Sequence, residues 1–314
     1  MSRKSKGIMS EVLLYINAGG SHGAGHFWRS YNIAEQLINH GHTPRFTGSI
    51  SDEFKSIISS KFDLVHGNIG NIENIIVDAV SITDKFKSEI TDKNIVILIS
   101  PMSFSYDYAT HLCLREPLSD PEKAHGKKCF IDPYFAFSVC ETNTKASFQI
   151  KDKYNLGICI SGSKQYVNIS NLVSCLLTKK YIGAIKVISN EDDLFVYQES
   201  GSIEIKRFSE DIWKFFENID IFVTGDGIML YEAISRGIPT LSFCRDAHST
   251  KNKYFADKLF MNVQQKDWYK DEVFDVITDA KSMRMISENI SKANIDQKVQ
   301  NLVNTILSII EGGN

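Results

Sequence analysis

The sequence lacks a long hydrophobic run. Its longest uninterrupted aliphatic stretch covers residues 95–99, whereas a helix that crosses a bilayer needs about 20 apolar residues. Near the N-terminus, Arg3, Lys4 and Lys6 are followed by only one short apolar run, at residues 12–16, and a signal peptide needs about 7–15 such residues. We therefore expect a soluble, cytoplasmic protein with no integral membrane segment.

The sequence also lacks a strong charge of either sign and closely paired cysteines. It has 35 lysines and arginines against 38 aspartates and glutamates, which gives a formal net charge of −3. This balance excludes a bulk electrostatic attraction to nucleic acid, so we expect no nucleic-acid partner. Six widely spaced cysteines contain no CxxC pair, and we therefore expect neither disulfides nor structural zinc.

Short strand-like runs alternate with amphipathic stretches of helical length, which is typical of parallel α/β sheets. In the first half we predict strands at residues 11–16, 43–47, 62–65, 72–77 and 95–99. In the second half we predict strands at residues 157–161, 184–189, 219–224 and 240–243. The main predicted helices are residues 26–39, 81–90, 168–177, 209–217 and 228–236.

The alternating pattern weakens over residues 106–151 and then resumes, and the tail over residues 266–310 is helical in character. A chain of 314 residues is long enough for two domains, at about 100–200 residues per domain. We therefore predict an N-terminal α/β domain at residues 1–150 and a C-terminal α/β domain at residues 151–314, facing a cleft.

A glycine-rich turn follows the first predicted strand, at residues 17–25. Glycine tolerates positive φ and lets a ligand approach the backbone N–H groups, and the N-terminus of the next helix suits an anion. His26 begins that helix, at the carboxyl end of the strand where open α/β sheets bind ligands, and a histidine there can take a proton at neutral pH. A structural turn with a capping histidine is the alternative. The four glycines of the turn are Gly19, Gly20, Gly23 and Gly25.

The common nucleotide and metal motifs are absent. No GxGxxG falls in register, no GK[ST] follows the glycine-rich turn, and Asp52 and Glu53 after the second strand lie in a predicted polar loop. His22 and His26 are four residues apart, but the sequence offers no third metal ligand. We therefore expect no metal and no bound cofactor.

Residues 23–29 form the pattern GxGHxxR directly after a strand and a glycine-rich turn. Two later segments are residues 75–83, IIVDAVSIT, and residues 223–243, VTGDGIMLYEAISRGIPTLSF. Together they resemble the UDP-sugar hydrolases of pseudaminic acid biosynthesis and their relatives in spore-coat and capsule polysaccharide synthesis. That family has the α/β GT-B fold, in which two Rossmann-like domains face an interdomain cleft. The resemblance implies this fold and a UDP-sugar substrate.

The resemblance also implies roles for individual residues. His26 is the general base that deprotonates the attacking water, and Asp78, at a strand end of the first domain, is our second catalytic candidate. Glu232 accepts hydrogen bonds from the ribose hydroxyls. The further substrate- or nucleotide-binding candidates are the four glycines of the turn, Arg29, Gly162, Ser163, Gly225, Asp226, Gly227 and His248.

Three classes of function stay open. The first is a metal-independent hydrolase that cleaves the anomeric C–O bond of a UDP-activated sugar in surface glycan biosynthesis. The second is a GT-B glycosyltransferase that delivers the sugar from a nucleotide carrier to an acceptor hydroxyl. The third is a catalytically silent nucleotide-sugar binding protein, because Val80 stands where the hydrolase family has a tyrosine and Ser100-Pro101 where it has an acidic pair. One scaffold hosts such different chemistries, so the fold alone does not separate them.

Overall fold

The computed structural model divides the chain into two compact units. Unit 1 contains Met1–Val139 and Lys298–Asn314, and unit 2 contains Cys140–Gln297. The structure describes residues 10–19, 24–65, 69, 71–99, 106–118, 120–137, 148–160, 168–189, 203–206, 212–244, 254–256, 258–264 and 279–312.

Unit 1 is built on a parallel sheet that has seven strands within the described residues, in the order β3-β2-β1-β4-β5-β6-β7. Because β1 lies between β2 and β4, the order of the strands reverses beside it, as in doubly wound folds. The strands are β1 Glu11–Ala18, β2 Thr43–Ile50, β3 Asp63–Leu64, β4 Asn74–Asp78, β5 Ile95–Leu98, β6 His111–Leu114 and β7 Lys128–Ile131. The helices beside this sheet are α1 Gly25–Asn39, α2 Asp52–Ser59 and α3 Asp84–Glu89.

Both faces of the unit 1 sheet are covered, so its central strands are apolar along almost their whole length. Residues of β1 point alternately into two hydrophobic clusters, as the two-residue repeat of a strand requires. Helix α1 packs on one face through an apolar stripe that includes Ile33 and Leu37. On the other face, Phe86 of α3 packs against Tyr15 of β1, with ring centroids 4.3 Å apart.

Unit 2 repeats the same plan with six parallel strands among its described residues, in the order β10-β9-β8-β11-β12-β13. The strands are β8 Tyr154–Cys159, β9 Ile182–Ile188, β10 Ile203–Lys206, β11 Ile221–Gly225, β12 Thr240–Cys244 and β13 Met261–Gln264. The helices are α4 Ile169–Leu177, α5 Ile212–Phe215, α6 Ile228–Ser235 and α7 Ala280–Lys292, and α8 Ile295–Lys298 ends one residue beyond the unit.

The last helix of the chain, α9 Asn301–Ile310, belongs to unit 1 although it follows unit 2 in sequence. Its buried residues join the hydrophobic cluster that α1 forms on the sheet, with Ile306 fully buried. Asn301 donates a hydrogen bond from Nδ2 to Asp132 Oδ2 at 2.6 Å, and the ammonium of Lys298 lies 3.8 Å from the ring centroid of Tyr134. The N-terminal unit therefore completes its core with the C-terminal end of the chain.

Shortening Ile306 to valine tests this packing. We expect a loss of about 0.5–1.5 kcal/mol in the free energy of unfolding, because one buried methyl group is removed and its space is only partly refilled. Asn304→Ala, at an exposed position of the same helix, should change the stability much less. Urea unfolding of both variants measures the difference, and equal stabilities would contradict the docking of α9 on unit 1.

The prediction of two α/β domains with parallel sheets is confirmed, and several elements add to or correct it. Strands β6, β7, β10 and β13 were not predicted, and Asp52 and Glu53 lie in the first turn of α2 rather than in a polar loop. The division into the two compact units falls after Val139, and the predicted domain boundary at residue 150 stays a prediction. Within the described part of the chain, no helix combines the length and apolarity that a membrane span requires.

Candidate active site

His26 and Asp78 lie together at the carboxyl edge of the unit 1 sheet. Asp78 is the last residue of β4 and is paired in register with Ile16 of β1. His26 is the second residue of α1, which follows β1 after the glycine-rich turn. Because β1 and β4 are neighbouring parallel strands, their carboxyl ends meet at the point where the strand order reverses. Two residues that are 52 positions apart thus become neighbours.

The two side chains make a short hydrogen bond. Nδ1 of His26 lies 2.6 Å from Oδ1 of Asp78, and the exposed fraction of the side chain is 12% for the histidine and 0% for the aspartate. Within the described residues, Nε2 of His26 has no hydrogen-bond partner. The imidazole therefore has one nitrogen bound to a buried carboxyl group, and no described residue hydrogen-bonds to the other.

Arg29 and Ser30 contact the same carboxyl group. They lie three and four residues after His26 on α1, so all three side chains share one face of the helix. Arg29 donates from Nε to Asp78 Oδ2 at 2.7 Å and from Nη2 to Oδ1, and Ser30 donates from Oγ to Oδ2 at 3.3 Å. Arg29 itself is buried, with 6% of its surface exposed.

The charges around Asp78 settle its protonation. Burial alone would raise the pKa of this carboxyl group, but the adjacent guanidinium of Arg29 and the imidazole of His26, with their hydrogen bonds, hold its pKa well below the ordinary value. Asp78 is therefore a carboxylate, and the proton in its contact with His26 is on Nδ1. In the neutral ring Nε2 then carries the lone pair, which is the form of a histidine that acts as a general base.

The loop after Asp78 is fixed by two side chains of β1. Asn17 accepts a hydrogen bond on Oδ1 from the backbone N–H of Ser81 at 3.3 Å, and the hydroxyl of Tyr15 accepts one from the N–H of Thr83 at 3.2 Å. These bonds hold the chain that leaves β4 against β1. Sequence reasoning missed Asn17, Tyr15 and Ser30, although the position of Ser30 four residues after His26 was a usable signal.

The glycine-rich turn is described only at its two ends. Gly19 has a φ of +85°, and a Cβ there would lie 2.2 Å from Oγ of Ser51, so glycine is required by both conformation and space. Gly25 is the first residue of α1. Gly20 and Gly23 lie outside the described residues.

The unit 2 candidates lie on one strand–loop–helix segment. Gly225 ends β11, Asp226 and Gly227 form the loop, and α6 begins at Ile228 with no side-chain hydrogen bond at its N-cap, Gly227. Because the N-cap residue is a glycine, it has no side chain that could cap the first turn. Glu232 lies in the same helix and is 3% exposed.

The other sequence candidates are not described. Gly162, Ser163 and His248 lie outside the described residues, as do Ser100 and Pro101, which depart from the hydrolase pattern. Among the residues with described positions, no three histidine, cysteine or acidic side chains are grouped in a way that could hold a metal ion.

Comparison with known proteins identifies the fold. No protein-family model matches the chain, and no curated protein sequence matches it. Solved structures match over nearly the whole chain. The glycosyltransferase of kitacinnamycin has a TM-score of 0.67 at 10% identity and covers 96% of this chain and 98% of its own. MurG of Acinetobacter baumannii has a TM-score of 0.64 at 13% identity, over 95% of this chain and 99% of its own. The chain has the GT-B fold.

A third GT-B structure was solved with a ligand. HepE of Anabaena, in complex with UDP-glucose, has a TM-score of 0.61 at 10% identity and covers 96% of this chain and 99% of its own. Identities of 10–13% establish the GT-B fold and nothing narrower. They confirm the fold that the GxGHxxR resemblance implied, and they do not support the narrower family of pseudaminic acid hydrolases.

Proposed function

We propose that this protein is a glycosyltransferase that moves a sugar from a UDP carrier to an acceptor hydroxyl, with His26 as the general base. The observation that carries the proposal is the 2.6 Å contact between His26 Nδ1 and Asp78 Oδ1. It orients the imidazole and keeps Nε2 free to accept a proton, at the edge of the sheet where doubly wound domains bind ligands.

The proposed reaction is a substitution at the anomeric carbon. Nε2 of His26 removes the proton of the acceptor hydroxyl while the oxygen attacks that carbon. The bond between the carbon and the diphosphate oxygen breaks, and its electron pair leaves with UDP. The proton then passes from His26 to solvent. Because the diphosphate is a good leaving group and the dyad of His26 and Asp78 supplies the base, we propose that no metal ion is needed.

The strand–loop–helix segment of unit 2 supports a nucleotide donor. The N-terminus of α6 suits a phosphate group, and Gly225 and Gly227 permit close approach of a ligand to the backbone. The carboxylate of Glu232 can accept hydrogen bonds from ribose hydroxyls. The similar structures add weight to this proposal, since one is named as a glycosyltransferase and another was solved with UDP-glucose.

Hydrolysis is the second candidate, because a base that can deprotonate a sugar hydroxyl can also deprotonate water. The GxGHxxR pattern favours it, since the pattern resembles that of UDP-sugar hydrolases. The comparisons with solved structures favour transfer instead. The two reactions differ only in the acceptor, so one assay separates them.

UDP release from a panel of UDP-sugars tests the proposal. We expect release by the purified 314-residue chain, in the presence of EDTA, to depend on an added acceptor, and we would supply sugars and glycolipid fragments as acceptors. Titration calorimetry with UDP measures donor binding independently of turnover.

Each result of this assay has a distinct meaning. Release that an acceptor accelerates at least about tenfold, a difference of 1.4 kcal/mol in the barrier, supports transfer. Release at the same rate with and without acceptors contradicts transfer and establishes hydrolysis. Absence of UDP binding contradicts the proposed donor, and loss of release in EDTA contradicts metal independence.

A further inference from the structure

All acceptor positions of Asp78 are occupied by side chains of α1. Oδ1 accepts hydrogen bonds from His26 Nδ1 and Arg29 Nη2, and Oδ2 accepts from Arg29 Nε and Ser30 Oγ. A carboxylate offers about four lone-pair positions, so this one is saturated. The hydrogen bonds to both oxygens therefore fix the plane of the carboxylate, so that it cannot turn away from the imidazole.

Whether His26 can act as a base depends on which nitrogen of its neutral ring carries the proton. A fully buried carboxyl group without a cationic partner favours its neutral form. Protonation of Asp78 would take up one proton from solvent: the carboxyl group would then donate its hydrogen to Nδ1 of His26, and the single proton of the neutral ring would lie on Nε2. That tautomer has no lone pair directed toward a ligand, so it cannot accept a proton from an acceptor hydroxyl.

We propose that Arg29 is a positioning residue that excludes this inactive tautomer, an inference that rests on the proposed role of His26 as base. The guanidinium stays charged at all working pH values and binds a carboxylate side-on with two parallel hydrogen bonds. It therefore keeps Asp78 ionised and oriented, so that the proton stays on Nδ1 of His26. This role differs from the substrate contact that the sequence suggested for Arg29.

The geometry makes arginine specific for this role. Lysine carries the same charge, but it is a point charge and cannot form the side-on pair of bonds to both oxygens. Ser30 contacts only Oδ2, at 3.3 Å, and carries no charge. Neither residue alone can both neutralise and orient the carboxylate.

Nitrogen NMR of the full chain with ¹⁵N-labelled histidine tests the proposal without any substrate. The His26 signals are assigned by their absence in His26→Gln. In the wild-type protein we expect the proton on Nδ1 and a lone-pair signal from Nε2. In Arg29→Met we expect the proton on Nε2, and in Arg29→Lys a mixture of the two tautomers. In the assay of sugar transfer, Arg29→Met should lower kcat and leave the KM for the donor unchanged.

Arg45→Met is the matched control. Arg45 lies on β2 of the same sheet and pairs with Glu11 at 2.8 Å, with 34% of its side chain exposed, so its loss removes an arginine without touching the dyad. We expect the wild-type His26 spectrum from this variant.

The outcome is decisive even if Arg29→Met fails to fold. A wild-type protein with the proton on Nε2, or an Arg29→Lys variant with the wild-type spectrum, would overturn the proposal. A folded Arg29→Met variant that keeps the proton on Nδ1 would overturn it as well. Because the tautomer is measured without a donor, absence of sugar transfer contradicts the proposed function and leaves this measurement valid.

Discussion

Replacing His26 by alanine is expected to lower kcat for sugar transfer by a factor on the order of 10²–10⁴, the usual contribution of a positioned general base. The donor should bind as before, because the proposed nucleotide contacts lie in unit 2. The fold should persist, since Asp78 keeps the hydrogen bonds from Arg29 and Ser30. Initial rates of UDP release and titration with UDP measure the two effects separately.

His40→Ala is the matched control for this variant. His40 follows the last turn of the same helix and is exposed, and its Nδ1 lies 2.9 Å from the backbone oxygen of Gln36. We expect wild-type kcat from it. A His26→Ala variant with a kcat close to that of His40→Ala would show that His26 is not the base.

The two catalytic candidates were predictable because each stands at the end of an apolar strand. Asp78 ends β4, in which all five residues are buried. A charged residue at the end of such a buried run usually either has a functional role or belongs to a buried ion pair. His26 follows β1 and a turn rich in glycine. The sequence pattern placed both residues at the same edge of the sheet, because the carboxyl ends of parallel strands lie on one side.

The network around Asp78 was not predictable from spacing. The positions of Arg29 and Ser30 on α1 show which helix face they share, but they do not show which residue of another strand lies opposite. We predicted a contact of Arg29 with substrate, and that contact stays a prediction. The structure shows that Nε and Nη2 of the guanidinium bind Asp78, so these two nitrogens are already engaged.

Of the strands missing from the prediction, β7 has a clear physical cause. β6 and β7 have only four residues each, and three residues of β7 are exposed, because β7 is at the edge of its sheet. An edge strand buries little, so its apolar pattern is weak. Helix α2 was missed because Asp52 and Glu53 in its first turn are polar, although acidic residues at a helix N-terminus are favourable.

Of the substitutions that add one methyl group, Gly48→Ala is expected to lower the free energy of unfolding the most. Gly48 lies on β2 with a φ of +121°, and a Cβ would lie 2.1 Å from the backbone oxygen of Ile16. Strained backbone costs about 1–3 kcal/mol, and forced repacking about 1–3 kcal/mol, occasionally more. Since the obstacle is backbone of a central strand and cannot rotate away, we expect the upper end of the combined range, about 4–6 kcal/mol.

The damage should extend to the active site. Ile16 is paired with Gly48 on one side and with Asp78 on the other. A shift of β1 away from β2 therefore also displaces β4, which carries Asp78. We therefore expect Gly48→Ala to lower kcat as well as stability, although Gly48 contacts none of the dyad residues.

Gly126→Ala separates backbone strain from overlap. Gly126 also has a positive φ, of +73°, but a Cβ there meets no atom within 4 Å. The free energy of unfolding of Gly126→Ala should therefore fall only by the cost of backbone strain, about 1–3 kcal/mol, and the variant should keep its activity. Denaturant unfolding of the two variants gives the difference, which is the cost of forcing a methyl group against Ile16. If Gly48→Ala is no less stable than Gly126→Ala, then β1 and β2 do not approach each other as closely as the structure places them.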